Sequence, residues 1–344
     1  MGYLRCALMG STGMMGQRFV QLLDRHPDFR LELLFCSERN SGRSYEKAAS
    51  WQLESEVPPE ISDMTLNEFD ASLLKENHID CVFSALPGNL RRDMEAEAAG
   101  SGFPVFSNSA THRMDENVPI LIPEVNADHL ASIKTQETYP GGFIVTNPNC
   151  STAGLVMALK PLIGFEPERV FVSTYQAISG AGYPGPPSLT MLGNIVPFIE
   201  KEEEKMERET SKILGKRIPV HPSCARVPVR NGHLLSVNVD LGMDAELTDI
   251  HDAFESMEKL EGLYSSPERP VILVKDRDRP QPMKDASNGF PVKGMSVSVG
   301  RIRKRANVLS FFALVNNTIR GGAGNAILSA ELALREGFLG GGKD

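Results

Sequence analysis

The chain has 344 residues, of which 41% are hydrophobic and 23% charged; its formal net charge is −8 and its mean hydropathy is −0.20. This length fits two domains, and the composition is typical of a globular protein. Surfaces that bind nucleic acid or anionic membranes need clustered lysine and arginine, so the acidic balance argues against both. A few well-placed arginines are still enough to bind an anionic substrate.

The N-terminal residues lack the basic, apolar and small-residue regions of a secretory signal, and no run of about eighteen apolar residues occurs. The five cysteines have no CxxC spacing, and their odd number excludes an all-paired disulfide framework: Cys6, Cys36, Cys81, Cys150 and Cys224. We therefore expect a protein of the reducing cytoplasm that has no metal site and does not associate with membranes.

The first half of the chain alternates short apolar runs with polar stretches that can form helices. Strands are predicted at Leu4 to Met9, Leu31 to Cys36, Asp80 to Ala85 and Phe103 to Ser107. Each run leads into a polar or glycine-rich segment, in order GSTGMMG, SERNSGRS, LPGN and NSATHRM. This alternation predicts an α/β fold with a Rossmann-like, doubly wound parallel sheet, whose ligands lie beyond the carboxyl ends of the strands.

From residue 170 onward the pattern changes to longer β-rich runs, such as VFVSTYQAIS, LLSVNVDL, SVSVGRIRK and VLSFFALVNN. They predict a mostly antiparallel sheet, with helices at Ile195 to Leu214 and Asp249 to Lys259 against one face. An amphipathic helix is predicted at Gly324 to Gly337. We therefore predict a nucleotide-binding domain over 1–149, completed by the C-terminal helix within 322–344, and a mixed α+β domain over 150–321.

The segment from Gly10 to Gly16 follows the first predicted strand directly and precedes a helical pattern. A glycine turn at this place lets backbone N–H groups approach a pyrophosphate at the positive end of the helix. The spacing is GxxGxxG rather than the commoner GxGxxG, so the spacing alone also allows a simple tight turn.

The end of the second predicted strand bears on the choice of dinucleotide. An NAD-specific site has Asp or Glu there to hold the ribose 2′-hydroxyl. This chain has Ser37, Arg39 and Ser41, whose hydroxyl and guanidinium groups suit a 2′-phosphate and favour NADP(H), whereas Glu38 argues for NAD.

The motif NPNCST places Cys150 between a short apolar run and the helical pattern STAGLVMALKPL. At a helix N-terminus the backbone N–H groups and the helix dipole stabilise a thiolate, and the same N–H groups can hold an oxyanion. Ser151 and Thr152 can also cap this turn, and from placement alone a buried inert thiol is the commoner case. Cys6, Cys36 and Cys81 have the placement of such core cysteines.

A thiolate needs an acid/base partner, and His233 has the most suitable place among the seven histidines. It follows Arg226 in CARVPVRNGHLLS, at the start of a β run, so the pair can bind a carboxylate and move a proton. A strand-end histidine beside an unrelated arginine is the alternative. His26, His78, His129 and His251 lie in stretches that look exposed.

Seven motifs occur in order along nearly the whole chain: GSTGMMG, SNSATHRM, NPNCST, YQAISGAG, EEEKMERET, RVPVRNGH and GGAGNAILSAE. In these motifs the chain resembles the aspartate-semialdehyde dehydrogenases of archaea and fungi. The resemblance implies NADPH-dependent reductive dephosphorylation of L-aspartyl 4-phosphate to L-aspartate 4-semialdehyde, in the biosynthesis of lysine, threonine, methionine and isoleucine. It also implies that the domain over 150–321 is catalytic and forms a homodimer or homotetramer.

The resemblance further implies the roles of individual residues. It makes Cys150 the nucleophile that forms a thioester, His233 the general acid/base and Gln176 the residue that orients the acyl-enzyme. The predicted substrate contacts are to the α-carboxylate from Arg226, to the amino group from Glu202 or its neighbours Glu203 and Glu204, and to phosphate from Lys205, Arg113 and Asn149. The predicted cofactor contacts come from Gly10, Ser11, Thr12, Gly13, Met14, Met15, Gly16, Ser37, Arg39, Ser41, Ser179, Gly180, Gly182 and Asn325.

Other functions use parts of the same pattern. Malonyl-CoA reductase, N-acetylglutamyl-phosphate reductase or another acyl-thioester reductase on this scaffold would share the cysteine and histidine, but Glu202 favours a substrate that carries an amino group. A non-catalytic NADP-binding paralogue would not need both Cys150 and His233. A dehydrogenase without covalent catalysis would not need Cys150.

Overall fold

The computed structural model of the chain describes residues 2–88, 90 and 92–340. Asn89, which ends the predicted LPGN loop, and residues 341–344 of the predicted C-terminal segment lie outside the described residues. The chain divides into two compact units. The first consists of Met1–Leu121, Ala127–Asn147 and Ala326–Asp344, and the second of Ile122–Asn126 and Pro148–Asn325.

The first unit contains a six-stranded parallel sheet with the strand order β3-β2-β1-β4-β5-β6. Its strands are β1 (Leu4–Met9), β2 (Phe29–Cys36), β3 (Leu66–Glu68), β4 (Cys81–Ser84), β5 (Pro104–Ser107) and β6 (Phe143–Thr146). Its helices before β6 are α1 (Met14–Leu23), α2 (Tyr45–Ala48), α3 (Pro59–Ser62), α4 (Ala71–Glu76) and α5 (Met94–Gly100). The strand order reverses at β1, so the predicted doubly wound sheet is confirmed.

The strands of this sheet are apolar on both sides because both faces are covered. On one face the ring of Phe83 lies 5.3 Å from that of Phe19 and 5.9 Å from that of Phe106. The other face belongs to a buried cluster that includes Val82, Val105 and Ile144. Since all strands are parallel, the loops that follow them leave from one edge of the sheet, and this edge carries the glycine turn.

The second unit contains a mixed sheet with the strand order β10-β11-β12-β9-β7-β8. Its strands are β7 (Pro167–Gln176), β8 (Val220–Arg226), β9 (His233–Leu241), β10 (Val271–Val274), β11 (Val297–Arg305) and β12 (Val308–Val315). Its helices are α6 (Pro123–Asn126), α7 (Cys150–Leu159), α8 (Ser188–Met191), α9 (Glu202–Leu214), α10 (Leu247–Glu255) and α11 (Pro282–Asp285). The central pairings, β11–β12, β12–β9 and β9–β7, are antiparallel as predicted, and the two edge pairings are parallel.

The burial of β7 and β9 alternates along each strand, so this sheet has one covered face. Helix α7 packs against β9, β12 and α9, and every residue from Ser151 to Leu159 is buried. The predicted helix from Ile195 starts only at Glu202, because the backbone of Val196 pairs with Arg226 at the edge of β8. The other predicted helix begins at Leu247, earlier than expected, because Glu246 and Asp249 form a capping box there.

The last helix, α12, spans Gly324–Arg335, and its residues from Ala326 onward belong to the first unit. Within that unit the Nε2 atom of His26 lies 2.9 Å from Oε1 of Glu331, and both side chains are buried. The expectation that His26 is exposed is therefore wrong, because the histidine pairs with a glutamate distant in sequence. None of the helices in the part of the chain that the structure describes is long and apolar enough to cross a membrane.

Candidate active site

Cys150 is the first residue of helix α7, as the sequence predicts. The residue before it, Asn149, caps the helix: its Oδ1 atom accepts the backbone N–H groups of Ser151 at 2.9 Å and of Thr152 at 3.2 Å. Cys150 is partly exposed, whereas the first turn that follows it is buried. The thiol therefore belongs to a partly exposed residue at the point where a helix begins.

The sulfur of Cys150 lies 3.2 Å from the Nε2 atom of His233, the first residue of β9. His233 is fully buried, and its Nδ1 atom accepts the backbone N–H of Ala177 at 2.9 Å. Burial, together with the positive charge of Arg226, lowers the pKa of His233 to about 3. The ring beside the thiol is therefore neutral at physiological pH.

Arg226 is the last residue of β8 and stands opposite Gln176 in the parallel pairing of β7 and β8. Its Nη1 atom donates to the carbonyl oxygen of Ala177 at 2.8 Å. Ala177 thus binds two side chains, His233 through its N–H group and Arg226 through its carbonyl group. The end of β7 fixes the histidine and the arginine relative to each other.

Glu202, the first residue of α9, connects the remaining polar groups of the site. Its Oε1 atom accepts from Nε2 of Gln176 and from Nδ2 of Asn149, each at 2.9 Å. Its Oε2 atom lies 3.9 Å from Nζ of Lys205, one turn further along the helix. Gln176, Asn149 and Lys205 therefore converge on one buried carboxylate.

The structure distinguishes the three consecutive glutamates at the start of α9. Glu203 accepts the backbone N–H of Cys224 in β8 at 2.9 Å, and Glu204 is exposed. Only Glu202 of these three contacts Gln176 and Asn149. Glu203 therefore holds β8 against α9, and Glu204 faces solvent.

Glu209 also belongs to this network, although the sequence analysis did not select it. It is buried, and its Oε2 atom accepts the backbone N–H of Asn149 at 2.6 Å. The helical periodicity of the sequence could have identified Glu209. Met206 and Ile213 mark the buried face of α9, and Glu202 and Glu209 lie on the same face.

The segment Ile319–Ala323 packs against Cys150; it is a kinked turn in which Gly322 has a non-helical backbone conformation. A Cβ atom on Gly321 would lie 2.7 Å from Cβ of Cys150, so only glycine allows this approach. The turn is anchored by Arg320, whose Nη2 atom lies 2.6 Å from Oε1 of Glu124 in a buried ion pair. The backbone therefore supports the nucleophile directly from one side.

The side chain of Asn149 occupies two of the backbone N–H groups at the start of α7. Ser151 and Thr152 both donate to it, so these two N–H groups are not available to hold an oxyanion. A capped helix end cannot offer the same groups to a substrate.

Of the predicted cofactor residues of the second unit, Gly180 lies beside His233 and Arg226. A Cβ atom on Gly180 would lie 2.7 Å from Nη1 of Arg226 and 3.1 Å from Nε2 of His233. The hydroxyl of Ser179 accepts from Asn317 at 2.9 Å, and Gly182 has a φ of +77°. Asn325 is fully buried, and its Oδ1 atom accepts from Arg320 at 3.4 Å.

In the first unit, Gly10 to Gly16 form the turn between β1 and α1. Gly10 has a φ of +73°, and a Cβ atom on Gly16 would lie 2.3 Å from the carbonyl oxygen of Gly10. Helix α1 begins at Met14, after Gly13 and without a side-chain cap, so Thr12, Met14 and Met15 surround an uncapped helix end. Ser11 is fully buried, and its hydroxyl donates to the carbonyl of Phe35 at 3.0 Å.

At the end of β2, the residues Ser37, Arg39 and Ser41 are exposed, as is Glu38. Arg113, further along the first unit, is buried, and its Nη2 atom donates to the carbonyl of Asn108 at 2.9 Å. The predicted binding residues of the first unit thus differ in their exposure to solvent. The loop after β2 faces solvent, and Arg113 is held by its own loop.

Comparison with known proteins agrees with this geometry. Residues 5–133 match the family model for the semialdehyde dehydrogenase NAD binding domain, and residues 159–320 match that for the semialdehyde dehydrogenase dimerisation domain. The aspartate-semialdehyde dehydrogenase of Archaeoglobus fulgidus is 44% identical, over 96% of this chain and 98% of the relative. That of Schizosaccharomyces pombe is 39% identical, over 98% of this chain and 100% of the relative.

Solved structures give the same result. The crystal structure of aspartate-semialdehyde dehydrogenase with NADP from Candida albicans matches with a TM-score of 0.88 and 32% identity, over 97% of this chain and 99% of the other. The Vibrio cholerae enzyme complexed with ASA matches with a TM-score of 0.79 and 27% identity, over 98% of this chain and 100% of the other. The chain belongs to the aspartate-semialdehyde dehydrogenase family.

Proposed function

We propose that this protein reduces L-aspartyl 4-phosphate to L-aspartate 4-semialdehyde with NADPH, through a thioester on Cys150. The observation that carries the proposal is the sulfur of Cys150 at a helix start, 3.2 Å from Nε2 of a buried histidine. Membership of the family supports the substrate and the cofactor. The reaction belongs to the biosynthesis of lysine, threonine, methionine and isoleucine.

In the first step the thiolate of Cys150 attacks the acyl carbon, and the π electrons of the carbonyl move to its oxygen. The C–O bond to phosphate then breaks, and a thioester remains on the cysteine. When bound, NADPH supplies a hydride for the thioester carbon. Collapse of the resulting thiohemiacetal oxyanion breaks the C–S bond and releases the aldehyde. His233 is the acid/base partner beside the reacting atoms.

The remaining side chains suit an amino-acid substrate that carries a phosphate. Arg226 can bind the α-carboxylate through two parallel hydrogen bonds, and its burial strengthens such contacts. Glu202 can hold the amino group, which favours the aspartyl substrate over malonyl-CoA. Gln176 orients the acyl group, and Lys205, Asn149 and Arg113 are the proposed phosphate contacts.

The residues present fit NADP(H). The uncapped start of α1 and the close turn at Gly16 suit a pyrophosphate, and the exposed Ser37, Arg39 and Ser41 suit a 2′-phosphate. Ser179, Gly180, Gly182 and Asn325 are the proposed contacts to the nicotinamide half. The NADP-bound relative from Candida albicans supports this cofactor.

We further propose that the protein acts as a homodimer or homotetramer in the cytoplasm. The matching family model for a dimerisation domain and the half-exposed rings of Phe171 and Tyr175 on β7 support the self-association. Leu189, Leu192 and Phe198 add exposed apolar surface in the same unit. No disulfide joins any of the five cysteines, all of which lie within the described residues, and this suits a reducing compartment.

The test uses Cys150→Ala beside the wild-type protein. We expect the variant to lose at least about 10⁴-fold in kcat and to keep its affinity for NADPH, because the thioester cannot form. Mass spectrometry of the wild-type protein, denatured in acid during turnover, should find the acyl group on the peptide that contains Cys150. Near-normal turnover by the variant, or comparable reduction of malonyl-CoA by the wild type, would contradict the proposal.

A further inference from the structure

We propose that Tyr45 and Gln17 are positioning residues for the pyrophosphate of the cofactor. They hold two consecutive carbonyl groups of the glycine turn, so that the backbone N–H of Thr12 faces the bound anion. This inference rests on the proposed function for the identity of that anion. The arrangement of the turn itself follows from contacts within the first unit.

Tyr45, the first residue of α2, holds the first of these carbonyl groups. Its side chain is fully buried, and its hydroxyl donates to the carbonyl oxygen of Ser11 at 3.1 Å. The peptide bond from Ser11 to Thr12 is trans, so its N–H points in the opposite direction from its carbonyl oxygen. Because the carbonyl group is directed at a buried ring, the N–H of Thr12 is directed away from that ring. Thr12 is only partly buried and Gly13 is exposed, which leaves this part of the turn accessible to a ligand.

Gln17, in helix α1, holds the next carbonyl group of the turn. Its side chain is buried, and its Nε2 atom donates to the carbonyl oxygens of Thr12 and Ser50, each at 3.0 Å. Its Oε1 atom accepts the backbone N–H of Gln52 at 2.7 Å. The side-chain amide therefore uses both of its donors and its acceptor, and it connects the glycine turn to the segment that follows α2.

The N–H groups on either side of Thr12 bind acceptors within the same unit. That of Ser11 donates to the carbonyl of Phe35 at 3.1 Å, and that of Gly13 donates to the carbonyl of Gly10 at 3.3 Å. Helix α1 then begins without a side-chain cap. The N–H of Thr12 therefore adds to the first N–H groups of α1 as a donor for an anion.

The hydroxyl of Tyr45 matters for binding because a peptide group can rotate as a unit. Ser11 is fully buried, so without the hydroxyl its carbonyl oxygen would lose a donor in a place that water does not reach. Rotation of the peptide toward solvent would satisfy the carbonyl again. The same rotation would turn the N–H of Thr12 away from the anion.

The first test is Tyr45→Phe, which removes only the hydroxyl and keeps the buried ring. We expect the Kd for NADPH, measured by calorimetric titration, to rise about tenfold. The Kd for adenosine 2′-monophosphate, which has no pyrophosphate, should stay the same. Tyr3→Phe, at an exposed position of the same unit, is the matched control and should change neither value. An unchanged Kd for NADPH in Tyr45→Phe, or an equal loss for both ligands, would overturn the inference.

Gln17→Met tests the second contact, because methionine has a similar size and cannot donate to the carbonyl of Thr12. We again expect a rise of about tenfold in the Kd for NADPH and no change for adenosine 2′-monophosphate. The difference between the two ligands separates a lost position of the turn from a general distortion of the domain. An equal rise for both ligands, or no rise, would refute the role of Gln17.

The amide of Thr12 can also be observed directly in the full-length protein labelled with ¹⁵N-threonine, where Thr12→Ser identifies its signal by loss. We expect NADPH to move this amide proton downfield in the wild type, because the N–H then donates to an anionic oxygen. The shift at saturating NADPH should be smaller in Tyr45→Phe. Equal shifts in the two proteins, or no shift in the wild type, would overturn the inference.

None of these measurements uses aspartyl phosphate. A wild-type protein that binds NADPH and shows the expected shifts, but does not reduce aspartyl phosphate, would contradict the proposed function alone. A wild-type protein that does not bind NADPH would overturn both the cofactor and this inference.

Discussion

Helices α1 and α7 each follow a strand of the parallel sheet, and their first turns differ in whether a side chain caps them. Helix α1 follows Gly13 and has no side-chain cap, whereas helix α7 follows Asn149, whose side chain binds two of its backbone N–H groups. An open helix start can bind a phosphate, and a capped one holds its own first residue in place.

The difference shows that a helix N-terminus has no fixed function. At α1 the backbone turns tightly at Gly16, and no side chain of the N-cap residue Gly13 binds the first N–H groups. At α7 two N–H groups of the same kind donate to the side chain of Asn149, and the proposed functional atom is the sulfur of Cys150. The following predictions separate the binding role of the first start from the chemical role of the second.

The largest effect is expected for Gly16→Ala. The new Cβ atom would lie 2.3 Å from the carbonyl oxygen of Gly10 and 2.6 Å from that of Ser11, and neither backbone atom can move easily. The turn must therefore open, and we expect the Kd for NADPH, measured by fluorescence titration, to rise by at least about 100-fold, equivalent to about 3 kcal/mol.

Gly100→Ala is the matched control for that change. Its Cβ atom would meet nothing within 4 Å and the residue lies outside the glycine turn, so both the Tm and the Kd for NADPH should stay the same. Unchanged NADPH binding in Gly16→Ala would show that the glycine turn is not a cofactor site.

Gly321→Ala tests the other helix start. The added methyl group would lie 2.7 Å from Cβ and 2.9 Å from Cα of Cys150, so it must displace the nucleophile. A displacement of about 1 Å is expected to lower kcat about 100-fold, while the Kd for NADPH stays the same. Gly164→Ala, where a Cβ atom would meet nothing within 4 Å, is the control and should retain full activity. Equal kcat values for the two variants would refute direct support of Cys150 by Gly321.

Glu209→Ala removes the acceptor for the backbone N–H of Asn149. A buried N–H without an acceptor costs about 1–3 kcal/mol, which we expect in the free energy of unfolding measured with urea. Because Asn149 precedes the nucleophile, kcat should also fall, by about tenfold, an increase in the activation free energy of about 1.4 kcal/mol.

Two variants sharpen the test of Glu209. Glu209→Gln keeps an acceptor oxygen and should recover most of both losses, and Glu207→Ala, at an exposed position on the same helix, should change neither. A loss of stability in Glu209→Ala with an unchanged kcat would mean that Glu209 does not position the site.

The smallest effect is expected for Arg39→Ala in the exposed loop after β2. An exposed charge contact contributes about 1 kcal/mol, so the affinity for NADPH should fall about fivefold and that for NADH should not change. The ratio of the two Kd values is the measurement. The same loss for both cofactors would argue against a contact between Arg39 and the 2′-phosphate.

Local sequence patterns predicted the fold and the position of Cys150 at a helix start well. The first sheet was predictable because its strands are buried on both faces and each ends at a polar or glycine turn. Cys150 was predictable because NPNC joins a strand to a helical pattern, and a helix must then begin near the cysteine. The choice among three consecutive glutamates needed the structure, since only the rotation of α9 decides which of them faces Gln176.

The contacts that the sequence did not predict depend on residues far apart in the chain. Glu209 looks like part of a charged, exposed helix until the buried stripe of α9 is recognised. His26 looks exposed because its partner, Glu331, lies in the last helix. The cap of α7 also needed the structure, because the spacing of a motif does not show whether Asn149 turns toward solvent or back onto its own helix.

Ala177 has a consequence for how this site can change during evolution. Its N–H group holds His233 and its carbonyl group holds Arg226, so the residue beside the sulfur and the proposed substrate-binding residue share one anchor. Substitutions at these two side chains cannot have independent effects, because removing one of them releases a backbone group that also orients the other. A relative with a different substrate must therefore replace the arginine without moving the end of β7, and changes at Gln176, Ala177 and Arg226 are expected to occur together.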